Sequence, residues 1–203
     1  MSKINSMDAL RGLYKNAKGR AVDKQQQKLD SQSRHFIRLS PFLVIGTQSR
    51  EGLGDVSPRG EGPGFVHVLD DHRLLIPDRP GNNRLDTYSN IIDNPAVSLI
   101  FLIPGVNETL RINGVAEIRD DADLCGHCIV NDKAPVTVLM VTVREAYLHC
   151  AKALMRSQLW SPESVIDRSI LPTIGQMIND QVGSTEPAES IEDMERRYRK
   201  VLY

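Results

Sequence analysis

Short apolar runs rich in β-branched and aromatic residues occupy the middle of the chain, and turn signals separate them. Glu51-Gly52, Asn94-Pro95 and Pro104-Gly105 are three of these turns. Many short strands at close turn spacing favour a sandwich or barrel over a doubly wound sheet. The pattern therefore predicts a mainly β core, with strands over Phe42–Thr47, Phe65–Leu69, Leu74–Ile76, Val97–Ile103, Leu110–Ile118 and Val136–Val143.

Helical patterns flank this β-rich region. Asp23–Leu39 places apolar residues near one helical stripe, but only over the second half of the range. Ser40-Pro41 ends the stripe because a residue before proline avoids the helical conformation. One helix, Arg84–Ile92, interrupts the strands. We expect one domain overall, with an N-terminal helical segment at 1–40, a core at 41–160 and a C-terminal helical extension at 161–203. Further helices are predicted at Lys152–Leu159, Leu171–Asp180 and Ala188–Leu202.

The charge balance and the lengths of the apolar runs exclude two classes of partner, nucleic acid and membrane. The 203 residues include 25 Lys and Arg and 26 Asp and Glu, which gives a net charge of −1. Proteins that bind a nucleic-acid backbone usually carry a basic excess, so we expect no nucleic acid. The longest apolar runs are Phe42–Gly46 and Val97–Ile103. Both are too short to span a bilayer, so we expect no membrane-spanning segment and no membrane partner. Met1 to Leu10 has no apolar core of a signal peptide, and a cytoplasmic location is expected.

The three cysteines form an odd set that argues against a disulfide framework. Cys125 and Cys128 have two-residue spacing around His127, and His149-Cys150 follows later. A structural zinc needs four convergent ligands, yet adjacent residues on a strand point to opposite faces. We therefore predict no metal site, and we expect the cysteines to be small residues packed against the barrel.

The loop from Pro77 to Asp86 is the strongest local feature. A strand ends at Pro77, a loop with glycine and two asparagines follows, and a helix starts near Arg84. Asn82 or Asn83 can cap that helix, and N–H groups at a helix start bind anions. Arg79 and Arg84 lie near enough in sequence to add cationic donors. The alternative is an ordinary capped turn with solvated arginines.

A second feature is the glycine-rich segment from Asp55 to Gly64. Its glycines stand at alternate positions, which is not the spacing of a dinucleotide fingerprint, and no Gly-Lys-Ser/Thr follows. Pro58 indicates a strand edge or bulge. Such an edge leaves main-chain groups available to hydrogen-bond a flat heterocycle, although a long surface turn is the alternative.

Several segments stand in the order of a known family, over roughly residues 25–165. They include Asp55–Gly60, Leu75–Arg84, Glu108–Gly114, His149–Ala153 and Arg156–Trp160. Together they resemble the pyridoxamine 5′-phosphate oxidase-related FMN-binding proteins of the split-barrel flavoprotein superfamily. The resemblance implies a six-stranded antiparallel split β-barrel with flanking N- and C-terminal helices. It also implies a homodimer with FMN at its interface.

The resemblance also implies the residues that bind the flavin. A Ser-Arg-Lys turn that holds the flavin phosphate in the oxidase corresponds here to Asn82, Asn83 and Arg84, so only Arg84 keeps a cation. Candidates for the remaining contacts to the flavin phosphate are Arg59, Lys152 and Arg156. The implied set is Ser57, Arg59, Ile76, Pro77, Asp78, Asn82, Asn83, Arg84, Thr109, Arg111, Lys152 and Arg156.

The expected function is that of an FMN-dependent oxidoreductase acting on a small molecule, with no catalytic residue assigned. The oxidase's substrate-phosphate cluster has no counterpart here, and the chain ends in Arg199–Tyr203 instead of its Arg-Leu motif. Oxidation of pyridoxamine phosphate is therefore not expected. Two alternatives stay open: a non-catalytic flavin-binding or storage protein, and a haem-interacting split-barrel protein with an axial ligand among His67, His72, His127 and His149.

Overall fold

One antiparallel sheet forms the centre of the molecule. The computed structural model describes residues 3–202. Within them the strand order is β2-β1-β5-β6-β7-β4-β3, and every neighbouring pair is antiparallel. The predicted β-rich split barrel is confirmed. The run predicted at Phe65–Leu69 forms only the two-residue strand β3, and β2, which the six predicted strands did not include, is the seventh. The strands are β1 (Phe42–Gln48), β2 (Gly54–Gly60), β3 (His67–Val68), β4 (Arg73–Pro77), β5 (Ala96–Leu102), β6 (Thr109–Arg119) and β7 (Val138–His149).

The core lies on the inner face of this sheet. Alternate residues of the central strands, such as Leu43, Ile45 and Ile112, are fully buried, as period-2 strands require. The ladder between β6 and β7 shifts register at Asn113 and Gly114. A Cβ on Gly114 would lie 2.3 Å from the Thr142 carbonyl oxygen, so this bulge requires glycine.

The helices lie around the sheet. Helix α4 buries Thr87, Tyr88 and Ile91. The three helices expected beyond residue 150 are present, although they bury no residue. In residues 3–202 no helix is long and apolar enough to cross a membrane. The helices are α1 (Met7–Leu13), α2 (Arg20–Asp23), α3 (Ser31–Leu39), α4 (Asp86–Asp93), α5 (Ala122–Gly126), α6 (Lys152–Ser157), α7 (Ile174–Val182) and α8 (Ile191–Arg199), with 3-10 turns at Pro162–Ser164 and Arg168–Ile170.

The helix predicted over Asp23–Leu39 forms only over the second half of that range, as Ser31–Leu39, because the chain between α2 and α3 is not helical and makes an isolated β-bridge at Gln26. The Gln26 N–H donates to the Ala146 carbonyl at 3.0 Å, and the Ala146 N–H donates back at 2.8 Å. Leu29 is fully buried beside this crossing. Main-chain hydrogen bonds to Ala146 of β7 and the burial of Leu29 therefore replace helix in this segment. Helix α3 then begins with Asp30 as its cap, which accepts the Ser33 N–H at 2.7 Å.

Candidate functional site

A cleft of about 850 Å³ opens between β2 and the segment that follows β4. Strand β2 is one edge of the sheet, and β4 is next to the other edge. Both contribute to the same cleft, so the sheet curls until its two ends face each other. The loop before β7, from Lys133 to Val136, and the chain end at Lys200 and Val201 complete the lining.

The inner face of β2 is polar, whereas the inner faces of the central strands are mostly apolar. Ser57 stands opposite Ile45 in the register, and Arg59 stands opposite Leu43. Residues directly opposite in an antiparallel pair share a face, so Ser57 and Arg59 point to the side on which Leu43 and Ile45 form the core. Both polar residues are half-buried and line the cleft, as does Asp55. This edge of the core therefore faces a polar space.

The loop after β4 holds two residues in the left-handed conformation. Asn83 has φ 58° and Leu85 has φ 59°. Asparagine tolerates this region, whereas a branched apolar residue adopts it only where the surroundings enforce it. The Asn82 Oδ1 atom accepts the Arg84 N–H at 3.1 Å, inside the loop.

Helix α4 therefore begins differently from the prediction. The expected asparagine cap is wrong, because Leu85 is the N-cap residue and contributes no side-chain hydrogen bond. The helix itself starts at Asp86, two residues later than predicted, because Leu85 is in the left-handed conformation, which a right-handed helix excludes. Main-chain N–H groups of the first turn of α4 are thus left for solvent or a ligand, and Asp86 and Thr87 line the cleft there.

Two of the cleft's arginines are paired with carboxylates. The Arg84 Nε lies 2.8 Å from the Asp86 Oδ2, and both side chains are largely exposed. The Arg79 Nε lies 2.6 Å from the Glu61 Oε2, and each of these side chains is only 17% exposed. Arg59 donates from Nη1 to its neighbouring Pro58 carbonyl at 2.8 Å.

Tyr88 is a cleft residue that the sequence reasoning missed. It lies on the buried face of α4, and burial raises the pKa of its hydroxyl to about 12, with smaller effects from Asp78 and Thr137. The phenol therefore stays protonated at neutral pH. Its spacing from Ile91, three residues along a predicted helix, was the signal that could have placed it on an inward face.

The twelve implied flavin residues fall into three groups: those that line the cleft, one in the core, and four elsewhere in the structure. Seven of them line the cleft, whereas the Ile76 side chain is 1% exposed and packs in the core, so only its main chain is available. Thr109, Arg111, Lys152 and Arg156 lie outside the cleft. The seven in the cleft are Ser57, Arg59, Pro77, Asp78, Asn82, Asn83 and Arg84.

Thr109 and Arg111 share one face of β6 with aromatic partners on β7. Thr109 pairs with His149, and Arg111 pairs with Tyr147. The Arg111 Cζ lies 5.6 Å from the Tyr147 ring centre, and the Lys24 Nζ lies 5.4 Å from it. The Tyr147 and His149 ring centres are 5.0 Å apart. Burial, together with the charges of Lys24 and Arg111, lowers the pKa of His149.

The three cysteines are all free thiols in two different settings. Cys125 and Cys128 are buried in a small apolar cluster, and burial raises the pKa of Cys128 to about 11. The expectation that Cys150 packs against the barrel is wrong: it follows the last residue of β7 and is exposed. No group of three or more His, Cys, Asp or Glu in residues 3–202 converges on a metal position.

The fold and the cleft define a split-barrel protein with a polar cleft between the ends of its sheet. A family model described as pyridoxamine 5′-phosphate oxidase matches residues 29–150. The chain therefore belongs to the pyridoxamine 5′-phosphate oxidase family. No curated protein matches it.

Solved structures with similar folds cover about three-fifths of the chain. HupZ of Group A Streptococcus is 17% identical with a TM-score of 0.47, over 57% of this chain and 89% of its own. A candidate pyridoxamine 5′-phosphate oxidase from Lactobacillus delbrueckii is 20% identical with a TM-score of 0.49, over 60% and 95%. An FMN-binding protein from Syntrophomonas wolfei is 9% identical with a TM-score of 0.45, over 58% and 81%.

Proposed function

We propose that this protein is an FMN-binding flavoprotein and an oxidoreductase that acts on a small molecule. The observation that carries the proposal is the polar inner face of β2, where Asp55, Ser57 and Arg59 stand at a position that a closed core would fill with apolar side chains. Family membership supplies the class of ligand, and the loop after β4 supplies an anion-binding helix start.

The residues of the cleft fit FMN. Its volume of about 850 Å³ lies in the range of small-molecule sites. Asn82, Asn83, Arg84 and the uncapped start of α4 would hold the phosphate. The edge of β2, with Ser57 and Arg59, would hydrogen-bond the flavin ring. Bound FMN supplies hydride and electron transfer, and the protein contributes orientation and hydrogen bonds.

The proposal includes a homodimer that shares its flavin sites. Within one chain the residues implied to bind flavin do not all reach the same cleft. Four of them are absent from its lining: Thr109, Arg111, Lys152 and Arg156. A second copy of the chain, placed by a two-fold axis, would bring these four to each cleft. Closed two-fold pairs are also the commonest oligomers.

The absorption spectrum of the purified protein is the first test, followed by titration with FMN and anaerobic mixing with NADH or NADPH. Bound flavin that is reduced much faster than free FMN and then turns over with an acceptor supports the oxidoreductase. Bound flavin that is reduced no faster than free FMN supports the storage alternative. A protein that takes up no flavin, or that takes up haem instead, contradicts the proposal. Among residues 3–202, no histidine lines the cleft to serve as an axial ligand to haem.

A further inference from the structure

The cleft has too little positive charge for a phosphate if only its arginines are counted. Arg59, Arg79 and Arg84 line it together with three carboxylates, those of Asp55, Asp78 and Asp86, so the two signs are equal in number. Arg84 and Arg79 are moreover paired with Asp86 and Glu61. A phosphate monoester carries between one and two negative charges near neutral pH, and such a balance does not attract it.

Two lysines from segments outside the flavin motifs change this balance. Lys133 lies in the loop between α5 and β7, and Lys200 directly follows α8. Both line the cleft, so its cationic side chains number five against three carboxylates. Neither lysine forms an ion pair with any residue between 3 and 202.

Lys200 differs in this respect from the other basic residues at its end of the chain. Each of the arginines of α8 is paired with a carboxylate nearby, at 2.7 to 3.0 Å. These pairs neutralise the helix locally and leave the ammonium of Lys200 as the charge that the C-terminal extension presents to the cleft. The pairs are Arg196 with Asp193, Arg197 with Glu189, and Arg199 with Glu195.

We propose that Lys133 and Lys200 bind the phosphate of the flavin, so that the C-terminal extension is part of the cofactor site. This inference rests on the proposed function. A lysine ammonium on a flexible stem binds phosphate as a point charge and needs no fixed fork geometry. The two lysines thereby supply the positive charge that Asn83 does not supply in the loop after β4.

The test compares FMN with riboflavin, which lacks the phosphate. Lys133→Gln, Lys200→Gln and the double variant are titrated with both flavins by fluorescence. Each single change is expected to weaken FMN binding about fivefold to tenfold, and the double change more, while riboflavin affinity stays within about twofold. Arg199→Gln removes a neighbouring charge that is already paired with Glu195, and Lys18→Gln removes an exposed charge outside the lining of the cleft. Both controls should leave FMN binding unchanged, and Lys200→Arg should retain it.

The outcomes separate this inference from the proposed function. If the wild-type protein binds FMN and both lysine variants bind it equally well, the inference is wrong and the flavin proposal stands. If the variants lose FMN and riboflavin to the same extent, the lysines do not act on the phosphate, and the inference is again wrong. A wild-type protein that binds neither flavin overturns the proposed function and this inference together.

Discussion

Arg79 and Glu61 join the two ends of the curled sheet by an ion pair, with 2.6 Å between Nε and Oε2. Glu61 directly follows β2, and Arg79 lies two residues beyond β4. These strands are not neighbours in the sheet, so the pair links segments that no ladder connects. Because each side chain is only 17% exposed, the surrounding protein shields the pair from water.

Removing one partner of this pair should destabilise the fold and weaken FMN binding. Glu61→Gln removes a charge-assisted hydrogen bond to Arg79 in a shielded position, which costs about 1–3 kcal/mol. A double-mutant cycle of Glu61→Gln with Arg79→Gln, measured by urea unfolding, should give a coupling of about 1 kcal/mol or more. Additive effects of the two changes would show that the pair does not hold the cleft together.

Arg84→Ala should weaken FMN binding roughly tenfold, which is at the lower end of the range for a charge-assisted hydrogen bond. The effect is small because the Arg84 side chain is largely exposed and its guanidinium is also paired with Asp86. Flavin fluorescence titration measures the change. Arg73→Ala is the matched control, since Arg73 is also an exposed arginine paired with an aspartate, Asp70, and lies outside the cleft. Equal affinities of Arg84→Ala and the wild type would remove Arg84 from the phosphate site.

Mixed dimers test whether two chains share each flavin site. Arg84→Ala and Arg111→Ala should each weaken FMN binding as homodimers. A purified heterodimer of the two variants should have one intact site and one doubly altered site, and so bind half of the wild-type amount of FMN. Light scattering should give twice the 22.7 kDa mass of one chain. A monomeric mass, or a heterodimer without a restored site, would contradict the shared arrangement.

The thiols should differ sharply in reactivity. Cys150 is exposed, whereas Cys125 and Cys128 are buried and burial raises the pKa of both thiols. A thiol reagent should therefore modify one cysteine per folded chain quickly and all three in denaturant. Cys150→Ser should abolish the fast reaction without loss of stability. Fast reaction at two or more sites in the folded protein would refute the burial of the Cys125 and Cys128 cluster.

Acid should destabilise the protein below about pH 6.5. Burial lowers the pKa of His67 and His149 from the ordinary value of 6.5. Just below pH 6.5 these histidines are therefore protonated in the unfolded chain but remain neutral in the folded protein. The unfolded state then binds more protons as the pH falls through 6.5, and the free energy of unfolding decreases. Urea unfolding at pH 7.5 and 5.5 should show a smaller decrease for His149→Gln than for the wild type. Exposed His72→Gln is the control, and an equal decrease in both variants would exclude His149.

The sequence by itself determined the parts of the fold that depend on neighbouring residues. Alternating apolar positions and turn residues located the major strands, because side-chain alternation is a local property of an extended chain. Proline and asparagine placed the end of β4 and the loop before α4 for the same reason. Motif order along the chain pointed to the family that matches residues 29–150.

The tertiary structure decided what depends on pairing between distant segments. Only the register between β1 and β2 shows that Ser57 and Arg59 face inward beside Leu43 and Ile45. The segment between α2 and α3 lies inside a predicted helix, but main-chain hydrogen bonds between Gln26 and Ala146 on β7 hold it in a non-helical conformation. Lys200 enters the cleft from the far end of the chain. No local pattern encodes such placements, because their energies come from hydrogen bonds, burial and charge shared with residues that only folding brings near.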